Sequence, residues 1–144
     1  FSYCFKKTFN EYPPILNLNS VKKKIDIKDG RKKISITSIS VKHGKVNSIC
    51  YIINKKLAYI SDVSEINKKD FKYFKNLNYL IIDCLWYKKH PSHLNYEEVL
   101  NLIKIFKPKK AILTNLHSDL DYSYLQKILP KKIIPAYDGL SLNL

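Results

Sequence analysis

The apolar residues of this chain change period part-way along it, and that change limits the fold to a mixed sheet with crossover helices. Between Ile34 and Ile60 they recur at strand spacing in short runs: Ile34, Ile36, Ile39 and Val41, then Ile49 to Ile53, then Leu57 to Ile60. A one-residue slip between Ile36 and Ile39 predicts a β-bulge. Lys42-His43-Gly44-Lys45 reads as a loop, and Asn54-Lys55-Lys56 as the turn of a hairpin. From Tyr79 the pattern is different, because strand-like runs alternate with helical ones. Tyr79 to Ile82 reads as a buried strand ending at Asp83, preceded by a short helix over Asp70 to Lys75. Asn95 and Glu98 form a capping-box pair that opens a helix with Val99, Leu100, Leu102, Ile103 and Phe106 inward, and Pro108 stops it. Ala111 to Leu113 reads as a strand, Tyr122 to Leu129 as a helix closed by Pro130, and Ile133-Ile134 and Leu140 to Leu142 as edge strands around Asp138-Gly139. Residues 1–32 read as an irregular lead-in, because Pro13-Pro14 bars helix and central strand and lysines flank an Asp29-Gly30 turn signal. A meander followed by strand–helix alternation predicts an α/β domain: a mixed β-sheet with helices packed on one face.

With 144 residues, 45% of them hydrophobic, the chain is one domain or part of one, and wholesale disorder is excluded. No apolar run approaches the roughly 20 residues of a membrane span. No methionine occurs at any position, which suggests a trimmed product or a piece of something longer. The net charge is +14, yet only Arg31 among the 26 basic residues is arginine. Nucleic-acid readers lean on arginine for bidentate contacts, so the charge reads first as a solvated lysine surface. Attraction of an anionic substrate such as a phosphate ester, or of nucleic acid, is the second reading. Cys4, Cys50 and Cys84 are odd in number and widely spaced, which reads as reduced thiols in a cytoplasmic chain.

The polar residues that carry chemistry fall at the predicted strand ends. His43 follows one strand, Asp62 ends another, Asp83 and His93 follow the next, and Asn115 and His117 the one after. Groups at strand ends are held by the sheet and stay accessible, and imidazole and carboxylate suit zinc, manganese or iron. Each also has a bland reading: a loop histidine at the surface, or Asp62-Val63-Ser64-Glu65 as an Asx turn. The chain contains no HxHxDH, HExxH, P-loop or GxSxG motif.

The order of four blocks is more specific than any one of these residues. SVKHGKVNSICYIINKKLAYISDVSEI, YLIIDCLWYKKHPSHLNYEEVLNLI, PKKAILTNLHSDLDYSYLQKILP and IIPAYDGLSL together resemble the later half of a metallo-β-lactamase-fold hydrolase. The branch they resemble includes phosphoribosyl 1,2-cyclic phosphate phosphodiesterase. The likeness covers about residues 33–144, with the first fourteen residues resembling the segment that leads in. It implies half of an αββα sandwich, with the HxHxDH-bearing N-terminal half as a missing partner. It also implies two divalent ions, zinc or manganese, in the complete domain, which is often homodimeric, and a small phosphodiester-type substrate. By the same resemblance His43 is a metal ligand, Asp62 the carboxylate bridging two ions, and His93 the histidine near the phosphoryl group. Asp83 orders the site from behind. The last ligand departs from the family's Thr-His-x-Ser-His, since Thr114-Asn115-Leu116-His117 puts Asn115 on the ligand position and leaves His117 as a substitute. Two other readings stand beside this one: a degenerate remnant without catalysis, and a basic anion-binding module.

Overall fold

The computed structural model describes residues 4–5 and 13–143. Among the described residues, seven strands form one sheet in sequential order: β1 (Lys24–Asp29), β2 (Lys32–His43), β3 (Val46–Ile53), β4 (Leu57–Ile60), β5 (Tyr79–Asp83), β6 (Lys110–Thr114) and β7 (Ile133–Pro135). β1 to β4 pair antiparallel, and β4 to β7 pair parallel. The change of direction lies where the apolar period changes. A 3-10 helix (Lys68–Tyr73) lies between β4 and β5, α1 (Tyr96–Phe106) between β5 and β6, and α2 (Tyr122–Ile128) between β6 and β7. Parallel strands added in one direction by right-handed crossovers place every crossover on the same face. The helix side accordingly holds one continuous core, in which Val99, Ile103 and Phe106 of α1 and Leu125 of α2 join Ala58, Ile60, Leu80, Ile82, Ala111 and Leu113 of the sheet.

α1 starts where the capping pair predicts. The Asn95 side chain accepts from the Glu98 N–H, and the Glu98 carboxylate accepts from the Asn95 N–H, each at 2.9 Å. The helix ends on Lys107 in the left-handed conformation, just before Pro108.

Three expectations need correction. The lead-in is not irregular throughout, because Lys24–Asp29 is a strand that turns back through Gly30 onto β2. The part of that reading that falls on residues 1–3 and 6–12 lies outside the described residues. The bulge is absent, since β2 pairs with β3 in unbroken register from Ile36↔Ile53 to His43↔Val46. Ile34 and Ile36 simply sit on the face opposite Ile39 and Val41, and both faces are apolar. Leu140 to Leu142 forms no strand.

The face away from the helices carries Ile27, Ile34, Ile49, Tyr51, Ile53, Tyr59 and Ile81, which alternate with the core residues along their strands. Ile27, Ile34, Ile49 and Tyr59 are 42–50% exposed there. A row of this kind across a sheet is more apolar than a solvated face normally is.

Cys50 and Cys84 are buried on or beside the helix face, and burial pushes both thiols up to about 12. Only the thiolate is nucleophilic, so both should be inert in the native chain. A thiol reagent at pH 8 is expected to label Cys4 rapidly and to reach Cys50 and Cys84 only after denaturant is added. Fast labelling of all three without denaturant would contradict this packing.

Candidate metal centre

The site is built at the edge where β2, β4, β5 and β6 end. His43 is the last residue of β2, and Gly44 and Lys45 turn the chain into β3. The expected loop is therefore a two-residue hairpin turn, with positive φ at Gly44. Asp62 follows β4. The segment carrying it is stitched to the end of β2: the Ser64 N–H donates to the Lys42 carbonyl at 2.7 Å, and the Gly44 N–H donates to the Ser64 hydroxyl at 3.0 Å. The Ser64 N–H thus goes to β2 and not to the Asp62 side chain, so the Asx-turn reading of this segment does not describe it.

One ligand atom from each of His43, Asp62 and His93 lies within 4.8 Å of the others. The ring centroids of His43 and His93 are 4.7 Å apart, edge to face. Their hydrogen bonds determine which nitrogen is free. His43 Nδ1 is 2.7 Å from the Ser92 carbonyl oxygen, which only accepts, so Nδ1 carries the proton. His93 Nδ1 is 2.6 Å from Asp83 Oδ2 and donates in the same way. In its neutral form each ring is left with a bare lone pair on Nε2. A metal-binding imidazole needs this tautomer, set by an oxygen behind the ring.

Asp83 is fully buried and accepts from three groups: His93 Nδ1, the Val63 N–H at 3.2 Å and Asn115 Nδ2 at 3.2 Å. Burial pushes its carboxyl up, while the bonds from His93, Val63 and Asn115 pull it down. The structure thus places Asp83 behind His93.

Asn115 ends up beside the site in a left-handed backbone conformation. Its Nδ2 donates to Asp83 and to the Ser61 carbonyl. Both partners are acceptors, so the NH2 group faces them, and an NH2 group has no lone pair for a cation. His117 is not one of the three clustered groups. Its Nδ1 accepts from the Asp119 N–H at 3.2 Å, and its ring lies 5.4 Å from that of Trp86. Trp86 Nε1 in turn donates to Asp119 at 2.7 Å.

Sequence reading missed the Ser92 carbonyl and the Val63 N–H. Both are main-chain groups, and residue identity carries no signal for them.

Two imidazole nitrogens and a carboxylate suit zinc or manganese, and the preset tautomers fit a cation better than they fit a solvated surface. The β-lactamase superfamily domain matches residues 3–115. The chain belongs to the metallo-β-lactamase superfamily. The seven-stranded mixed sheet matches part of that fold. Superfamily members are typically metal-dependent hydrolases. A diphosphatase of the PhnP family superimposes with a TM-score of 0.77 at 26% identity, over 86% of this chain and 47% of its own. The metallo-β-lactamase fold protein YhfI from Bacillus subtilis gives 0.66 at 18% identity, over 83% of this chain and 53% of its own. An octanoyltransferase from Porphyromonas gingivalis (strain ATCC BAA-308 / W83) is 31% identical over 143 residues, which is 96% of this chain and 28% of that protein. Most of that relative lies outside the match. The chain thus spans about half the length of these structural neighbours and about a quarter of the curated relative. Among the described residues, no helix is long and apolar enough to cross a membrane.

Proposed function

We propose that this chain is the C-terminal part of a metal-dependent phosphodiester hydrolase domain, in the branch that includes phosphoribosyl 1,2-cyclic phosphate phosphodiesterase. The observation that carries the proposal is the convergence of His43, Asp62 and His93 with both imidazole tautomers preset. A bound divalent cation would supply Lewis acidity, activating water and neutralising phosphate charge. His43, at the end of β2, and Asp62, after β4, would hold the cation. His93, backed by Asp83, would complete the cation's protein contacts through Nε2. Only as the imidazolium, with Nε2 protonated and off the cation, would it stabilise phosphoryl charge or give a proton to the leaving oxygen. The +14 charge would draw an anionic ester toward this edge.

The complete domain needs about seven ligands for its two ions by family resemblance, and this chain supplies a minority of them. The remaining ligands, and the surface that covers the apolar face around Ile49 and Tyr59, would come from polypeptide bearing the HxHxDH cluster. The isolated chain is therefore expected to hydrolyse a phosphodiester no faster than buffer in the presence of manganese or zinc. Extending it upstream in its own reading frame to include HxHxDH should produce metal-dependent turnover. Turnover by the isolated chain, or none from an extended chain that contains HxHxDH, would contradict the proposal.

The amide of Asn115 at the expected ligand position favours a second reading, a catalytically dead remnant. Asn115→His in the extended chain separates the two. A gain in turnover without change in fold identifies a weakened enzyme, and no turnover in either form identifies a remnant.

A further inference from the structure

We infer that Gly44 is a positioning residue, whose missing side chain lets the Pro91–Ser92 backbone seat on the β2–β3 turn so that the Ser92 carbonyl can lock the tautomer of His43. The geometry is visible without a metal. A Cβ placed on Gly44 would lie 3.1 Å from Ser92 Cβ, 3.4 Å from the Pro91 carbonyl oxygen and 3.5 Å from Ser92 Cα. The first distance is too short for an unstrained contact, and two of these three atoms are backbone while the third, Ser92 Cβ, is bonded directly to it. Relief would come from moving the Pro91–Ser92 segment away from the turn. That segment carries the acceptor for His43 Nδ1 at 2.7 Å. The contact requires a shift of a few tenths of an ångström, and a shift that turns the carbonyl away from the ring N–H weakens the bond, because it depends steeply on angle.

The same peptide couples the two rings. The Ser92 carbonyl bonds His43, and its carbon is joined to the nitrogen of His93, whose own Nδ1 is held by Asp83. One loop thus sets both imidazoles, and the turn residue determines where that loop sits. The consequence for cation binding rests on the metal-site reading, but the tautomer lock itself does not.

Gly30 provides an internal control. It occupies the β1–β2 turn with φ of +54°, close to the +60° of Gly44, yet a Cβ there meets nothing within 4 Å. Gly30→Ala therefore carries the backbone strain alone, whereas Gly44→Ala carries the strain and the contact. Ser92→Gly removes the closest atom in that contact.

The test is long-range proton–nitrogen NMR of the imidazole rings in the metal-free chain, above neutral pH. Wild type and Gly30→Ala are expected to show His43 protonated on Nδ1. Gly44→Ala should shift His43 toward the Nε2-protonated form, and Gly44→Ala/Ser92→Gly should restore the wild-type pattern. Zinc affinity should follow, falling about tenfold in Gly44→Ala, within the range for losing an oxygen partner behind a ligand. If His43 in wild type is protonated on Nε2, or if Gly44→Ala leaves the wild-type pattern intact, the inference is overturned. Should Gly44→Ala not fold, the wild-type pattern and the double variant still decide it. A correct tautomer with no zinc binding would instead sink the metal reading and leave the lock standing.

Discussion

Asp62→Ala, followed by zinc titration calorimetry, is expected to remove saturable binding from the chain. Asp62 is the exposed member of the three-residue cluster and its only carboxylate. A four-ligand zinc site contributes about 10–16 kcal/mol, or roughly 3 kcal/mol per ligand, so losing one ligand should cost about two orders of magnitude in affinity. The isolated chain starts from weak binding, so a loss of this size takes it below detection. His43→Ala should do the same. Because among the described residues the Asp62 side chain accepts only from the Ser61 hydroxyl, at 3.1 Å, the fold should be little affected. Unchanged zinc affinity in both variants would mean that the cluster is a polar surface feature and that zinc binds elsewhere.

Asp83→Ala is expected to lower both zinc affinity and stability, a combination that Asp62→Ala should not show. Removing the carboxylate frees His93 to rotate and to change tautomer, which should cost about 10–100-fold in affinity. It also leaves the buried Val63 N–H without its acceptor, at about 1–3 kcal/mol. Asp83→Asn should not rescue the site. In one orientation its NH2 faces the Asn115 amide group, and in the other it faces the Val63 N–H and His93, so donors meet donors either way. Thermal melts with zinc titration on both variants check this. An Ala variant with wild-type stability and affinity would show that Asp83 does not orient His93.

Much of this was legible in the sequence, for reasons that differ by residue. β3 and β4 follow from Ile49 to Ile60, because short apolar runs split by a polar turn are local signals. α1 follows from Asn95 and Glu98, because the capping box writes both of its partners into the chain. β1 was missed because an edge hairpin of lysines and isoleucines lacks a core-facing alternation. The false bulge in β2 has a related cause. Periodicity shows only that a residue is apolar, not which of two apolar faces it occupies, and the face bearing Ile34 is apolar and part-exposed. His43, Asp62 and His93 were legible as metal-type residues at strand ends. Their convergence was not, since it depends on the parallel order of β4 and β5 and on the stitching of Ser64 to Lys42. Asn115 was legible as a departure from the family, but its contact with Asp83 was not, because the two are 32 residues apart.

Locating the bound cation tests the account most directly. Zinc soaked into crystals of the chain and found by anomalous scattering at its absorption edge should lie among His43, Asp62 and His93. Both imidazoles should approach through Nε2, with Ser92 and Asp83 still bonded to Nδ1. Zinc held through Nδ1, or bound at some other group of residues while these three side chains stay empty, would contradict the account.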